Sequence, residues 1–129
     1  MARHEHLPIY KAALDLTVQL ERVVAGFSRY HKYTLRTELR DGSRRVLLQV
    51  LRANNAGSAG ERARELLALR ERIDALLLAV RVAKEVRAFR SLSGYLHVVE
   101  QVGSVARQNE GWLKHTQAGS RSAARDTGA

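Results

Sequence analysis

Arg36, Arg40 and Arg44 recur at the i, i+4, i+8 spacing that sets three guanidinium groups on one face of a helix. They sit in a denser window, where Arg29, Lys32, Arg36, Arg40, Arg44, Arg45 and Arg52 are opposed only by Glu38 and Asp41, a local charge of +5. A second window, Arg81, Lys84, Arg87 and Arg90 against Glu85, carries +3. The two stretches hold eight of the nine formal net charges of the chain, so the charge is placed rather than spread. A guanidinium fork suits phosphate oxygens better than a lysine point charge does. Tyr30, His31 and Tyr33 add flat rings inside the first window, where bases or sugars can stack. The chemistry indicated is binding to RNA or DNA. A solvated, helix-ending charge run fits the same residues, because Lys and Arg favour helix C-termini. With no helix-turn-helix, zinc-finger or RNA-recognition-sheet pattern alongside, the expected binding follows the phosphate backbone, weakens with salt and reads few bases.

Catalytic chemistry finds no comparable constellation. His4, His6, His31, His97 and His115 form no His-x-x-x-His pair and no Glu-x-x-His repeated on two helices, so no metal is expected. Ser43 and Ser104 lie outside any nucleophile elbow, and Gly57-Ser58-Ala59-Gly60 lacks the Lys-Ser/Thr of a phosphate loop. Glu38, Asp41, Asp74 and Glu85 stand beside Arg at helical spacings, which indicates surface pairing rather than acid-base work. The expectation is a protein that is not an enzyme and needs no cofactor. With no cysteine, thiolate zinc sites, disulfides and cysteine nucleophiles are excluded, and the default setting is cytoplasmic.

The elements that must position these residues read as helices. Aromatics are only 5% of the 129 residues and proline occurs once, while Leu, Val and Ala dominate, so the expected fold class is all-α. Pro8 opens a first helix with the stripe Ile9, Ala13, Leu16, Leu20, Val23, Phe27. Thr34 is placed to cap a second, through Leu35, Leu39, Val46, Val50 and Ala53, which Asn54 to Gly57 stop. A third starts between Ala59 and Glu61 and runs through Leu66, Leu69, Ile73, Leu76, Leu77 and Val80 to about Arg90. Ser91 or Ser93 caps a fourth, with the stripe Tyr95, Val99, Val102, Ala106, Asn109, Leu113. This predicts an antiparallel up-down-up-down four-helix bundle over residues 1–116 and a disordered basic tail over 117–129. In such a bundle the two basic windows converge on one pole.

Two further apolar lines fall outside these stripes. Leu47 and Leu51 lie well around the second helix from Leu39 and Val46, and Val98, Val105 and Trp112 make a second line on the fourth. They fit either a broad core stripe or a homo-oligomer interface. The N-terminal segment has no signal-peptide pattern, and no run approaches the roughly 18 apolar residues of a membrane span, so no membrane association is expected.

Several segments, taken in order, carry a family resemblance: Leu7-Pro8-Ile9-Tyr10-Lys11, Lys32-Tyr33-Thr34-Leu35 followed by Leu39-Arg40, Leu51-Arg52-Ala53-Asn54-Asn55, Ser93-Gly94-Tyr95-Leu96, and Gly111-Trp112-Leu113. From Leu7 to His115 the chain resembles the four-helix-bundle family that includes the Avd accessory proteins of diversity-generating retroelements and the ribosomal-RNA intervening-sequence proteins. The ending Gln108-Asn109-Glu110-Gly111-Trp112-Leu113 is closer to the Avd branch. The resemblance implies a pentameric, positively charged barrel that binds a reverse transcriptase and RNA or DNA and supports mutagenic retrohoming. Lys32, Arg40 and Arg52 fall inside matching segments. Arg36 stands where the family pattern has Gly, and Asn109-Glu110 replaces a more Gly-rich approach to the Trp. The alternative is an intervening-sequence-type bundle, or a protein-interaction scaffold with no retroelement role.

Overall fold

Five α-helices and no strand make up residues 4–128, the part of the chain that the computed structural model describes; the side chains of His4, Lys32 and residues 122–128 lie outside that description. After a short 3-10 turn at His4–His6 come α1 (Pro8–Val24), α2 (Arg29–Lys32), α3 (Leu35–Asn54), α4 (Ala59–Glu85) and α5 (Leu92–Gly128). Pro8 occupies the first turn of α1, where its fixed φ suits the helix and its missing N–H is not needed. At α4 the Ser58 hydroxyl accepts from the Glu61 N–H at 3.1 Å, and the Glu61 carboxylate reaches back to the Gly57 N–H at 2.9 Å, which satisfies two otherwise orphaned donors. Ser91, rather than Ser93, caps α5, its hydroxyl oxygen accepting from the Gly94 N–H at 3.0 Å.

The start of α3 departs from expectation. Thr34 makes no side-chain cap bond and is already helical, because the short α2 delivers the chain in that conformation. The other end of the surprise lies at α4, which stops at Glu85 instead of continuing to Arg90. There Arg87 takes φ 60°, its N–H returns to the Lys84 carbonyl, and the Ala88 N–H bonds the Ala83 carbonyl at 2.9 Å. This is a Schellman ending with arginine in the left-handed position that usually holds glycine.

The four long helices close a ring of contacts, α1 with α3, α3 with α4, α4 with α5, and α5 with α1. Leu16, Leu20, Leu39, Val46, Val50, Leu66, Leu69, Leu76 and Val80 fill its centre with almost no exposure. Each such side chain contributes about 1.5–3 kcal/mol by leaving water, which is what holds four amphipathic faces together. On α5 the core stripe is Val98, Val102, Val105, Asn109, Leu113 and Thr116, with Tyr95, Val99 and Ala106 only partly buried at its edge. Val98 and Val105 are therefore core residues at 0% exposure, not the interface positions considered from the sequence. The correction amounts to a turn of roughly 40° in α5, since Val102, Asn109 and Leu113 belong to both stripes while Val98 and Val105 replace Val99 and Ala106 at the centre. Leu47, Leu51 and Trp112 are half-buried, Leu47 and Trp112 packing at the margins of the core, with the Arg62 guanidinium 6.0 Å from the Trp112 ring centre.

Helix α5 continues through 117–128, where a disordered tail is the sequence expectation; Gln117, Ala118 and Arg121 are good helix formers, and the helix propagates past Thr116, the last buried side chain described. Ala129 lies outside the described residues. No helix among the described residues is long and apolar enough to cross a membrane.

Candidate nucleic-acid interface

The end of α1, the short α2, the start of α3 and the α4–α5 turn meet at one pole. Phe27 and Phe89 pack edge to face at 5.5 Å, and Phe89 packs in the same way on Tyr95 at 5.5 Å. This aromatic chain ties the segment leading into Arg29 to the turn that carries Arg87 and Arg90. Lys84 stands 5.8 Å over the Tyr95 ring and 3.4 Å from the Glu85 carboxylate. Arg29, Arg81, Arg87 and Arg90 are exposed. Tyr30 and Tyr33 are 87% and 80% exposed, which leaves both rings open to stacking, and His31 meets Tyr30 edge-on at 5.0 Å. The side chain of Lys32 lies outside the described residues.

The α3 stripe is less free than its spacing implies. Glu21 of α1 accepts from Arg40 Nε at 2.8 Å and from Arg44 at 2.9 Å, so one carboxylate serves two of the three arginines. That Arg40 hydrogen bond holds the Glu21 carboxyl below its ordinary range, with the charges of Arg40, Arg44 and Arg36 adding and partial burial opposing. Because the folded-state value is depressed, this pairing supports the fold above the ordinary carboxylate pKa of about 4.3 and is lost as pH falls through the lower value. Arg36 is half-buried, and its Nε has no partner among the described residues.

Two positions do not join the pole. Arg45 turns to the other side of α3, where it lines a groove with Glu38, Glu71 and Arg72 of mixed charge. Arg52 lies beside Glu61, Arg64 and Glu65 near the start of α4, about 24 Å along the α3 axis from Arg36 at 1.5 Å per residue. Arg22, in the last turn of α1, is a cation that the charge windows missed; it lines a cavity at the pole together with Arg90. Its position in the final turn of a helix leading to the basic pole was the available signal.

No family model and no curated protein matches this chain.

Among the described residues, no three His, Cys, Asp or Glu side chains lie close enough to hold a metal ion. What the pole offers is an array of exposed guanidinium groups with two open aromatic rings, and part of it is kept at a cost to stability. A non-glycine residue in the left-handed region costs roughly 1–2 kcal/mol. Arg87→Gly is expected to raise stability by about 0.5–1 kcal/mol, less than that penalty because glycine also enlarges the unfolded ensemble. A thermal melt should show a gain of a few degrees; an unchanged or lower Tm would mean that the Arg87 side chain contributes packing that offsets its backbone.

Proposed function

We propose that this chain is a non-enzymatic, cytoplasmic nucleic-acid-binding accessory protein of a diversity-generating retroelement, built as an up-down-up-down four-helix bundle and assisting its reverse transcriptase. The observation that carries the binding half of this reading is the pole itself, where Lys84, Arg87 and Arg90 line a hollow with Phe89, exposed Arg29 follows Phe27 by two residues, and Tyr30 and Tyr33 stand open. The retroelement half rests on the segment resemblance. Duplex DNA, structured RNA and single strands titrated at several salt concentrations test the first half: affinity should fall linearly on a log-log plot, with a slope of roughly −0.9 per phosphate contact on duplex DNA. A reverse transcriptase gene with paired template and variable repeats beside the coding sequence tests the second.

The exposed aliphatic side chains favour self-association as part of this reading. Leu48, Leu78, Leu92 and Leu96 are each at least half exposed, the last three on α4 and α5. Together with the half-buried Leu47, Leu51 and Trp112 they are the candidate contacts of a homo-oligomer, a pentamer by the resemblance. Light scattering is expected to give a multiple of 14.4 kDa. A mass that stays at the monomer value across a wide concentration range would return these residues to an ordinary surface.

A further inference from the structure

Between the end of α1 and the start of α5 the surface opens into a cavity of about 260 Å³, whose lining includes Arg22, Gly26, Phe89, Arg90, Ser91 and Gly94. That is smaller than the roughly 300–1,000 Å³ of typical organic-ligand pockets, and both charged groups in its wall are cations. Among the described residues neither Arg22 nor Arg90 takes part in an ion pair, in contrast to Arg40 and Arg44. Gly26 is what admits Arg90 to the site. A Cβ at this position would stand 2.6 Å from Arg90 Cδ and 3.1 Å from Cγ, so only glycine lets the arginine stem lie against the end of α1. The Ser91 hydroxyl oxygen already accepts from the Gly94 N–H, which leaves its own proton free to donate to an anion.

We propose that this cavity is a receptor for a phosphomonoester, supplied by the phosphorylated end of a nucleic-acid strand. An internal phosphodiester carries a single negative charge. A terminal phosphomonoester carries about −1.5 to −2 at neutral pH with three strong acceptor oxygens, which suits a small cavity whose wall includes two arginines outside any ion pair and a serine hydroxyl. The proposal rests on the nucleic-acid reading above and adds the part of the strand that the pole selects.

One short single strand, prepared with a 5′-phosphate, a 3′-phosphate or two hydroxyl ends, provides the test. The wild type should hold a phosphorylated strand about tenfold more tightly than the hydroxyl strand, as one or two charge-assisted hydrogen bonds would give. Arg90→Gln should reduce that advantage to less than about twofold. So should Gly26→Ala, which removes no charge and displaces only a flexible side-chain stem, and which should leave the helical circular dichroism unchanged. Equal affinity for phosphorylated and hydroxyl strands in the wild type, or an advantage that survives both substitutions, overturns the proposal. A phosphoserine peptide bound as tightly as the strand end overturns the nucleic-acid source. If no strand binds at all, the nucleic-acid reading fails, and inorganic phosphate then decides the receptor alone. Saturable shifts of the Gly26, Ser91 and Gly94 amide resonances that vanish in Gly26→Ala support it, and their absence overturns it.

Discussion

Exchanging Arg36, Arg40 and Arg44 together for glutamine is expected to lower affinity for duplex DNA by roughly two to three decades near 0.1 M salt, with little dependence on sequence. Each phosphate contact is linked to about 0.9 of a decade in affinity per decade of salt, so three lost contacts should also flatten the slope by about 2.7. The Glu21 pairing pulls the outcome toward the smaller loss, since Arg40 and Arg44 are partly neutralised before any ligand arrives. Glutamine is the better replacement than glutamate for the same reason: two new carboxylates facing Glu21 would repel it and confuse binding with unfolding. Arg52→Gln, at the far end of α3, should leave affinity and slope close to wild type. Circular dichroism must show the triple variant folded. A folded variant with unchanged affinity and slope would make the stripe a solvated face and leave the nucleic-acid reading to Arg29, Lys84, Arg87 and Arg90 at the pole.

The helices were legible because their apolar periods are strong and their ends carry local chemistry. Pro8, Ser58 with Glu61, and Ser91 act within one turn of themselves, so residue type and spacing are enough to read them. The register of α5 was not legible in the same way. Val98, Val102 and Val105 make one stripe and Val99, Val102 and Ala106 another, overlapping at Val102, and only the packing of α1 and α4 on α5 decides between them. The charge windows showed that cations cluster along the chain, but not which of them another helix neutralises. Glu21 lies 19 residues before Arg40, and the partnership appears only when α1 and α3 are side by side. Arg87 marks a different limit. An arginine inside an apparent helical run gives no hint of a left-handed backbone, so the stop at Glu85 has to come from the hydrogen bonds of Arg87 and Ala88 back into α4.

Val98→Asp separates core from interface and should have the largest effect on stability. Val98 has no exposed surface and is part of the apolar core that α5 shares with the other long helices. A carboxylate placed there loses its hydration without gaining a partner, at a cost of several kcal/mol, while a domain of this size is held by only about 5–15 kcal/mol. Desolvation would raise the new carboxyl's pKa, so any residual fold should recover as pH is lowered toward protonation. Chemical denaturation followed by circular dichroism is expected to show a chain largely unfolded at neutral pH. Leu96→Asp makes the comparison on the same helix, at a side chain that is 54% exposed. That variant should keep its helical signal and denaturation midpoint, and a reduced mass by light scattering would place Leu96 in the contact between copies. A Val98→Asp protein that stays fully folded but loses its oligomeric mass would put Val98 back at an interface and show that α5 packs in the other register.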